Sequence, residues 1–358
     1  MLRYIVRRIL LSIPVLFGIL TLVFFLGHVL PGDACRALLG ERATDAICAA
    51  YNHDHGLDQP VPVQFGNYLV ALSHGDLGTS TKSSQSVTEL LIQRLPVTIE
   101  LAIAAMFFAV TVGVVLGIIS AYKRNSIIDV VTMAGANIGV SIPIFVLGLL
   151  LAFVFAILLK GTPFALPPSG RLSPGITIVP LATSWGLTSW TGVPRGVVDF
   201  VSNIYTFNAL VTGQWAVLGD AIRHLILPAI ALGTIPLAII ARITRSSLLD
   251  VLGLDYVRTA RAKGLSERKV IRQHALPNAM LPVTTIVGLQ LGSLFGGAVL
   301  TETIFNLSGV GRAVAEAIGS RDFPTIQGFV LVIAIIYLVI NLIVDVSYAF
   351  LDPRVRLT

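Results

Sequence analysis

The sequence predicts an all-α integral membrane protein with about six transmembrane helices, both termini cytoplasmic, and extracytoplasmic insertions after the first and third helices. Three observations carry that prediction. The 358 residues are 55% hydrophobic and only 12% charged, with a mean hydropathy of +0.85. Ordinary soluble domains carry about 25% charged residues. Apolar runs long enough to cross a bilayer recur along the whole chain. Basic residues gather in alternate connecting segments, as the positive-inside rule requires. The formal charge of +6 is therefore a topology signal and gives no reason to expect a nucleic-acid partner.

The N-terminal segment carries Arg3, Arg7 and Arg8, and the run Ile9 to Leu30 is apolar except for Ser12, Thr21 and His28. A signal peptide has an apolar core of about 7–15 residues followed by a small-residue cleavage site. This run is about 20 residues, enough for ~30 Å of hydrocarbon, and leads into Pro31-Gly32-Asp33. It reads as an uncleaved first span, residues 1–30, with its N-terminus inside. Residues 31–95 are polar, with turn signals at Pro31-Gly32 and Pro60-Val-Pro62, and read as an extracytoplasmic subdomain of short helices. Cys35 and Cys48 lie there and fit no zinc or redox spacing. Outside the cytoplasm they can pair as a disulfide, or remain two small unpaired residues. His53 and His55 flank Asp54 without a recognisable metal-site spacing, so a solvated loop is the favoured reading. Gly75-Asp-Leu-Gly-Thr-Ser80 is glycine-rich but lacks the Lys-Ser/Thr ending of a phosphate-binding loop.

Residues 96–358 form the helical core. Ile99 to Ala121 is the second span, with Lys123-Arg124 at its cytoplasmic end. Val131 to Leu159 is the third, with a kink expected at Pro143 and with Asn137 and Ser141 on the same half. Residues 160–222 are rich in Pro, Gly, Thr and Trp and read as the second insertion, with Trp185, Trp190 and Trp215 expected near headgroups. Leu225 to Ile243 is the fourth span, containing Pro228 and Pro236. Leu281 to Ile304 is the fifth, with Gln290 in its middle and Glu302 near its outer end. Gln327 to Phe350 is the sixth, carrying Asn341 and Asp345. Fifteen of the 25 basic residues and five acids fall in the segments assigned inside, a net of +10; the outside segments carry a net of −3. Eight of the fifteen lie between Arg242 and Arg272.

The chain lacks a Gly-x-x-x-x-Gly-Lys-Ser/Thr loop, a His-Glu-x-x-His helix and a Gly-x-Ser-x-Gly elbow. The reading is therefore no catalytic residue, no metal and no directly bound cofactor. Ionisable residues within the spans are Asp345, Glu302 and His28. A proton-coupled pathway needs more such groups, so energy is expected to come from another subunit. Gln290, Asn137, Ser141 and Glu302 are the candidates for a substrate path, with interhelical packing as the competing explanation.

The basic loop, residues 246–280, has its own local logic. Asp255 reads as an N-cap and Tyr256 to Lys263 as a helix about 12 Å long. Gly264 suits the left-handed C′ position, Ser266 can cap the next turn, and Pro277 ends it. Ala260 and Gly264 are four apart, which gives one face almost no side chain. Such a face with a basic flank can dock closely on another surface; the competing reading is a loop that only fixes topology.

Arg258-Thr-Ala-Arg-Ala-Lys-Gly264, followed by His274-Ala-Leu-Pro277, resembles the EAA loop of bacterial ABC importer permeases. That pattern runs Glu-Ala-Ala, three residues, Gly, nine residues, Ile-x-Leu-Pro. Here Arg258 replaces the Glu, Thr259 the first Ala and His274 the Ile, while Ala260, Gly264, Leu276 and Pro277 match. Pro31-Gly-Asp33, Gly56-Leu-Asp-Gln-Pro60, His74-Gly-Asp-Leu-Gly-Thr-Ser80, Thr244-Arg-Ser-Ser247, Leu300-Thr-Glu-Thr-Ile-Phe305 and Asp352-Pro-Arg354 resemble the dipeptide and oligopeptide branch of that family. The resemblance implies the type I, MetI-like permease fold in a bacterial inner membrane. It implies a second, similar permease as heterodimer partner, two ATPase subunits that hold ATP and Mg, and an extracytoplasmic binding protein that delivers peptide. The first helix of the loop would be the coupling helix. Arg258, Thr259, Ala260, Arg261, Lys263, Gly264 and Leu265 would contact the ATPase, with Leu265 in an apolar pocket. Nickel chelates or glutathione as cargo, an ion-coupled secondary transporter, and a membrane scaffold are the alternative readings.

Overall fold

The computed structural model describes residues 2–29, 35–36, 43–54 and 56–351. Pro31-Gly-Asp33, His55, Asp352-Pro-Arg354 and Arg356 lie outside the described residues. The described chain is helical: α1 (Leu2–Val29), α2 (Asp45–Asp54), α3 (Val61–Ser73), α4 (Val87–Tyr122), α5 (Ile127–Ser141), α6 (Ile144–Ala152), α7 (Leu181–Ser184), α8 (Gly192–Ser202), α9 (Tyr205–Val211), α10 (Trp215–Leu252), α11 (Asp255–Ala262), α12 (Glu267–Lys269), α13 (Leu276–Ile304), α14 (Val310–Ser320) and α15 (Phe323–Leu351). π-Helical turns at Phe153–Leu158 and Val270–Ala275 extend α6 and join α12 to α13. Five helices are long and apolar enough to cross a membrane, and α5 with α6 makes a sixth span if that bent pair is counted as one.

The core is the parallel pair α4 and α10. Small residues let their backbones meet: a Cβ on Gly117 would lie 2.7 Å from the Ala241 carbonyl, and one on Gly233 would lie 2.6 Å from the Ala105 carbonyl. Without a hydrophobic drive between helices in lipid, such close packing is what holds spans together. Leu101, Ala105, Leu227, Ile240, Val283 and Phe305 fill the seam with α13. On the flank, α1 packs on α15, with Arg8 and Asp345 paired at 2.6 Å.

Several elements differ from the sequence expectation. The third span is broken, not kinked: α5 and α6 meet at 102°. Pro143 supplies no N–H and disfavours helix at the residue before it, and Ile142 is accordingly extended at φ −80°, ψ 124°. α10 runs unbroken through Pro228 and Pro236, and α4 begins at Val87, well before the apolar run. The early turns of α4 pack Val87, Leu90, Leu91 and Leu95 on Val310 and Phe329, with Leu77 and Phe200 of the insertions alongside, and hydropathy does not register such packing.

The segment 160–222 folds over its own apolar residues Leu181, Ala182 and Val198. Glu100, 7% exposed, pins it to α4 by accepting from Arg171 Nη2 (2.7 Å), Thr206 N (2.7 Å) and Thr206 Oγ1 (2.6 Å). The Arg171 guanidinium also stacks 3.4 Å over the Tyr205 ring. In the first insertion Cys35 and Cys48 form a disulfide, with Cα atoms 5.5 Å apart. The Gly75–Ser80 stretch does not cradle a ligand. Its end binds Asp322 at the start of α15, through Ser80 Oγ (2.5 Å) and Thr81 N (3.0 Å).

Glu302 is a related case and a correction. It is fully buried and sealed off from any path. Its carboxylate accepts from Thr98 Oγ1 (2.6 Å) and Arg312 N (2.9 Å), so it caps the start of α14, and Thr98 Oγ1 in turn accepts from Val310 N (2.9 Å). A carboxylate at a helix N-terminus meets unsatisfied N–H groups and the positive end of the dipole. Thr98→Val removes one donor to Glu302 and the acceptor of Val310 N. It is expected to cost about 1–3 kcal/mol, the penalty of orphaning buried polar groups. A lowered thermal unfolding midpoint of the detergent-solubilised protein checks this, and an unchanged midpoint would contradict it.

Candidate functional site

The basic loop closes one end of the bundle. Gly253 ends α10, and α11 starts at once with Leu254, not Asp255, in the N-cap position. Asp255 sits in the first turn, where its charge still favours the helix dipole. Gly264 is left-handed at φ +76°, as the C′ position demands. Pro277 does not stop a helix. It occupies the first turn of α13, where a missing N–H costs nothing.

One face of α11 is spent inside the chain. Val257 and Ala260 are buried against Val270, with Leu265 packed beside them. This corrects the expectation of a small outward face. Ala260 points inward, and Gly264 lies beyond the helix end, so the four-residue spacing does not put them side by side. Leu265 is half-buried, one side packed on that cluster. Arg261 forks onto Glu267, with Nε to Oε2 at 3.0 Å and Nη2 to Oε1 at 2.6 Å; that bonding raises the guanidinium above its ordinary pKa. Outward and outside those internal bonds are Arg258, Thr259, Ala262, Lys263 and Gly264, while Asp255, Tyr256 and Arg261 are exposed beside their bonding partners. The Arg258 side chain is 71% exposed and reaches only Asp255, at 3.3 Å.

Two residues the sequence reading passed over fasten α11 to the next span. The Tyr256 hydroxyl donates to the His274 carbonyl (3.2 Å) and accepts from Asn278 Nδ2 (2.8 Å). A push on α11 therefore reaches α13 through hydrogen bonds as well as through the Val257–Ala260 contacts. The aromatic at the start of the helix, spaced from the His274-Ala-Leu-Pro277 turn, was the available signal.

A second fastening lies nearby. Asp129, 4% exposed, accepts from Arg245 Nε (2.8 Å), Arg245 Nη2 (2.7 Å) and Asn125 N (3.0 Å), and from Ser120 Oγ. It joins α4, α5 and α10 at the end where α11 lies. Adjacent on the same two helices, Arg242 Nη2 donates to Asn137 Oδ1 (3.0 Å), and Ser141 Oγ donates to the Asn137 carbonyl (2.9 Å). Asn137 and Ser141 are thus together and exposed just before the break, with Arg242 beside them. Gln290 is half-buried on α13, and Glu302 is at the opposite end of the bundle, so the structure does not gather the four candidates into one site. Among the described residues no cluster of three metal-ligating side chains forms, and His53 instead pairs with Asp58 at 2.9 Å.

Asp129→Leu leaves the Arg245 guanidinium without its partner. Removing one member of a buried ion pair is expected to cost about 3 kcal/mol. Thermal unfolding should show the Asp129→Leu, Arg245→Leu double variant losing less than the Asp129→Leu single variant. A double-variant loss equal to the sum of the two single losses would mean that the two charges do not act as a pair.

Comparison with known proteins adds to this geometry. The family model for a binding-protein-dependent transport system inner membrane component matches residues 113–357, and the model for the N-terminal part of such membrane components matches residues 1–102. The dipeptide transport system permease protein of Alkalihalophilus pseudofirmus is 46% identical over 356 residues, covering 99% of this chain and 100% of that protein. The protein of the same description from Escherichia coli (strain K12) is 43% identical over 360 residues, covering 99% of each chain. A glutathione transport system permease protein of Salmonella choleraesuis is 37% identical over 356 residues, again covering 99% of each. With both models matched and these relatives aligned almost end to end, the chain belongs to the family of binding-protein-dependent transport system inner membrane components.

Proposed function

We propose that this chain is the permease subunit of an ATP-driven peptide importer, forming half of a translocation pore for dipeptides and oligopeptides. The observation that carries the reading is α11: a short helix with a cationic outer face, anchored by its inner face and by Tyr256 to a spanning helix. A helix bound that tightly to the bundle converts contact with a partner into rigid-body motion of a span. Full-length similarity to dipeptide permeases supports the cargo class.

In the proposed cycle the α11 end is cytoplasmic, as the +10 charge count of the inside segments favours. Two ATPase subunits bind there and hold the ATP and Mg. The outward set Arg258, Thr259, Ala262, Lys263 and Gly264 meets acids and carbonyls of the ATPase. Closure of the ATPase pair draws α11 towards its counterpart on a second permease subunit. α13 and α10 follow through Tyr256–Asn278 and the α11 core, and the pore turns outward to accept peptide from an extracytoplasmic binding protein. The chain itself is a pore-forming subunit, not an enzyme.

Ala262, exposed on α11, tests the docking without disturbing the internal face. Ala262→Trp overpacks the proposed contact, which costs about 1–3 kcal/mol or roughly tenfold in docking affinity. The expected outcome in vesicles holding all subunits is normal insertion, retained ATP hydrolysis and at least tenfold weaker dipeptide uptake. Unimpaired uptake would sink the coupling role. The cargo is tested in the unmodified transporter by competing labelled dipeptide with unlabelled dipeptide, glutathione and a nickel chelate. No saturable uptake of labelled dipeptide, alongside saturable uptake of labelled glutathione or of the labelled chelate, would move the reading to that cargo.

A further inference from the structure

The helix α3 carries no charged residue in its thirteen positions, Val-Pro-Val-Gln-Phe-Gly-Asn-Tyr-Leu-Val-Ala-Leu-Ser. It belongs to a stretch that composition assigns to an extracytoplasmic, watery subdomain. Its partner within the fold contradicts that placement. The Phe65 ring lies 6.1 Å from Phe17, 4.9 Å from Phe24 and 5.8 Å from Phe25 of α1, and Tyr68 stacks on Phe24 at 5.9 Å.

The depth of those contacts follows from α1. Between Arg8 and Gly27 the helix has no charge, and that run is about 28 Å long at ~1.5 Å per residue, barely the ~30 Å hydrocarbon thickness. Phe17 therefore sits ~12 Å and Phe24 ~22 Å along the span from Ile9. A ring wedged between them lies about 10 Å below the far hydrocarbon boundary.

Three of the polar side chains of α3 are bonded inside the segment, while the buried Tyr68 hydroxyl has no hydrogen-bond partner among the described residues. Gln64 Nε2 donates to the carbonyls of Leu57 (3.1 Å) and Gln59 (2.8 Å), Asn67 Nδ2 donates to Gln59 Oε1 (3.2 Å), and Ser73 Oγ donates to the Val70 carbonyl (2.7 Å). Pro60 and Pro62 withhold two N–H donors at the start, and His74 N and Gly75 N close on the Ala71 and Leu72 carbonyls at the end. The face turned away from α1 exposes Val63 (47%) and Val70 (60%), two helical turns apart.

We infer that α3 is seated in the bilayer, its Phe65 and Tyr68 rings against Phe17, Phe24 and Phe25 of α1 and its Val63 and Val70 against lipid acyl chains. At ~20 Å it is too short to cross. The segment thus dips into the membrane and returns, and widens the lipid-facing side of α1. This holds whatever the transporter carries.

The chain's two cysteines are bonded to each other, so an introduced cysteine can be labelled alone. Val63→Cys and Val70→Cys, each carrying an environment-sensitive fluorophore, are measured in the fully assembled transporter in phospholipid vesicles. Leu22→Cys on α1 serves as the lipid reference and Lys82→Cys as the aqueous one. Lipids brominated on their acyl chains should quench positions 63 and 70 as strongly as position 22, and aqueous iodide should quench them several-fold less than position 82. Iodide quenching equal to that of position 82 would overturn the inference in favour of a water-exposed helix. Insensitivity to both quenchers would overturn it in favour of a protein partner covering this face.

Discussion

Inside a bilayer a carboxylate or an N–H without a partner costs several kcal/mol, and four buried carboxylates of this chain meet that constraint by joining segments far apart in sequence. Glu100 holds the insertion 160–222 to α4. Asp129 ties α5 to α10 and α4. Glu302 caps α14 and takes the Thr98 hydroxyl of α4. Asp322 draws the Ser80–Thr81 turn onto the start of α15. Each acid satisfies irregular backbone or a neighbouring side chain at an end of the bundle, where regular helix gives out. The spans between them need only small residues and apolar contact.

That division of labour shapes how the molecule can move. The α4–α10 seam is held by backbone-to-backbone closeness at Gly117 and Gly233, which resists sliding. The broken span is different. α5 is fixed at its start by Asp129 and Arg245, while its other end stops at the Pro143 break, beside Asn137 and Ser141. α5 also meets α10 near that break, through the Arg242–Asn137 hydrogen bond, so a tilt of the half-helix carries this contact with it. In the proposed transport cycle the α11–α13 unit would push and the α5–α6 break would yield. Both elements use features other than a titrating group, in keeping with energy supplied from outside the chain.

Much of the fold was legible because hydrocarbon imposes a coarse rule on composition. The runs at residues 9–30, 99–121, 131–159, 225–243, 281–304 and 327–350 all became helices, with ends displaced wherever an insertion added packing. Gly264 was legible because only glycine takes φ +76° without strain. The inward turn of Ala260 was not, because a four-residue spacing says which residues share a face and nothing about which way that face looks. Glu302 was misplaced for a similar reason: an acid near a span end reads equally as a pathway group or as a cap, and only the position of α14 separates them.

The sequence by itself determined that this chain lives in a membrane, where its spans run, and that its cationic loop holds a short helix closed by glycine. Those are consequences of transfer energy and backbone sterics, which act residue by residue. The tertiary structure decided what each polar residue bonds to: Tyr256 and Asn278 as a tie, Asp129 as a three-helix junction, Arg261 turned onto Glu267. It also decided that the uncharged helix Val61–Ser73 lies against the middle of α1. Such roles depend on which groups meet across long sequence separations. That is fixed by packing geometry, and no local pattern encodes it.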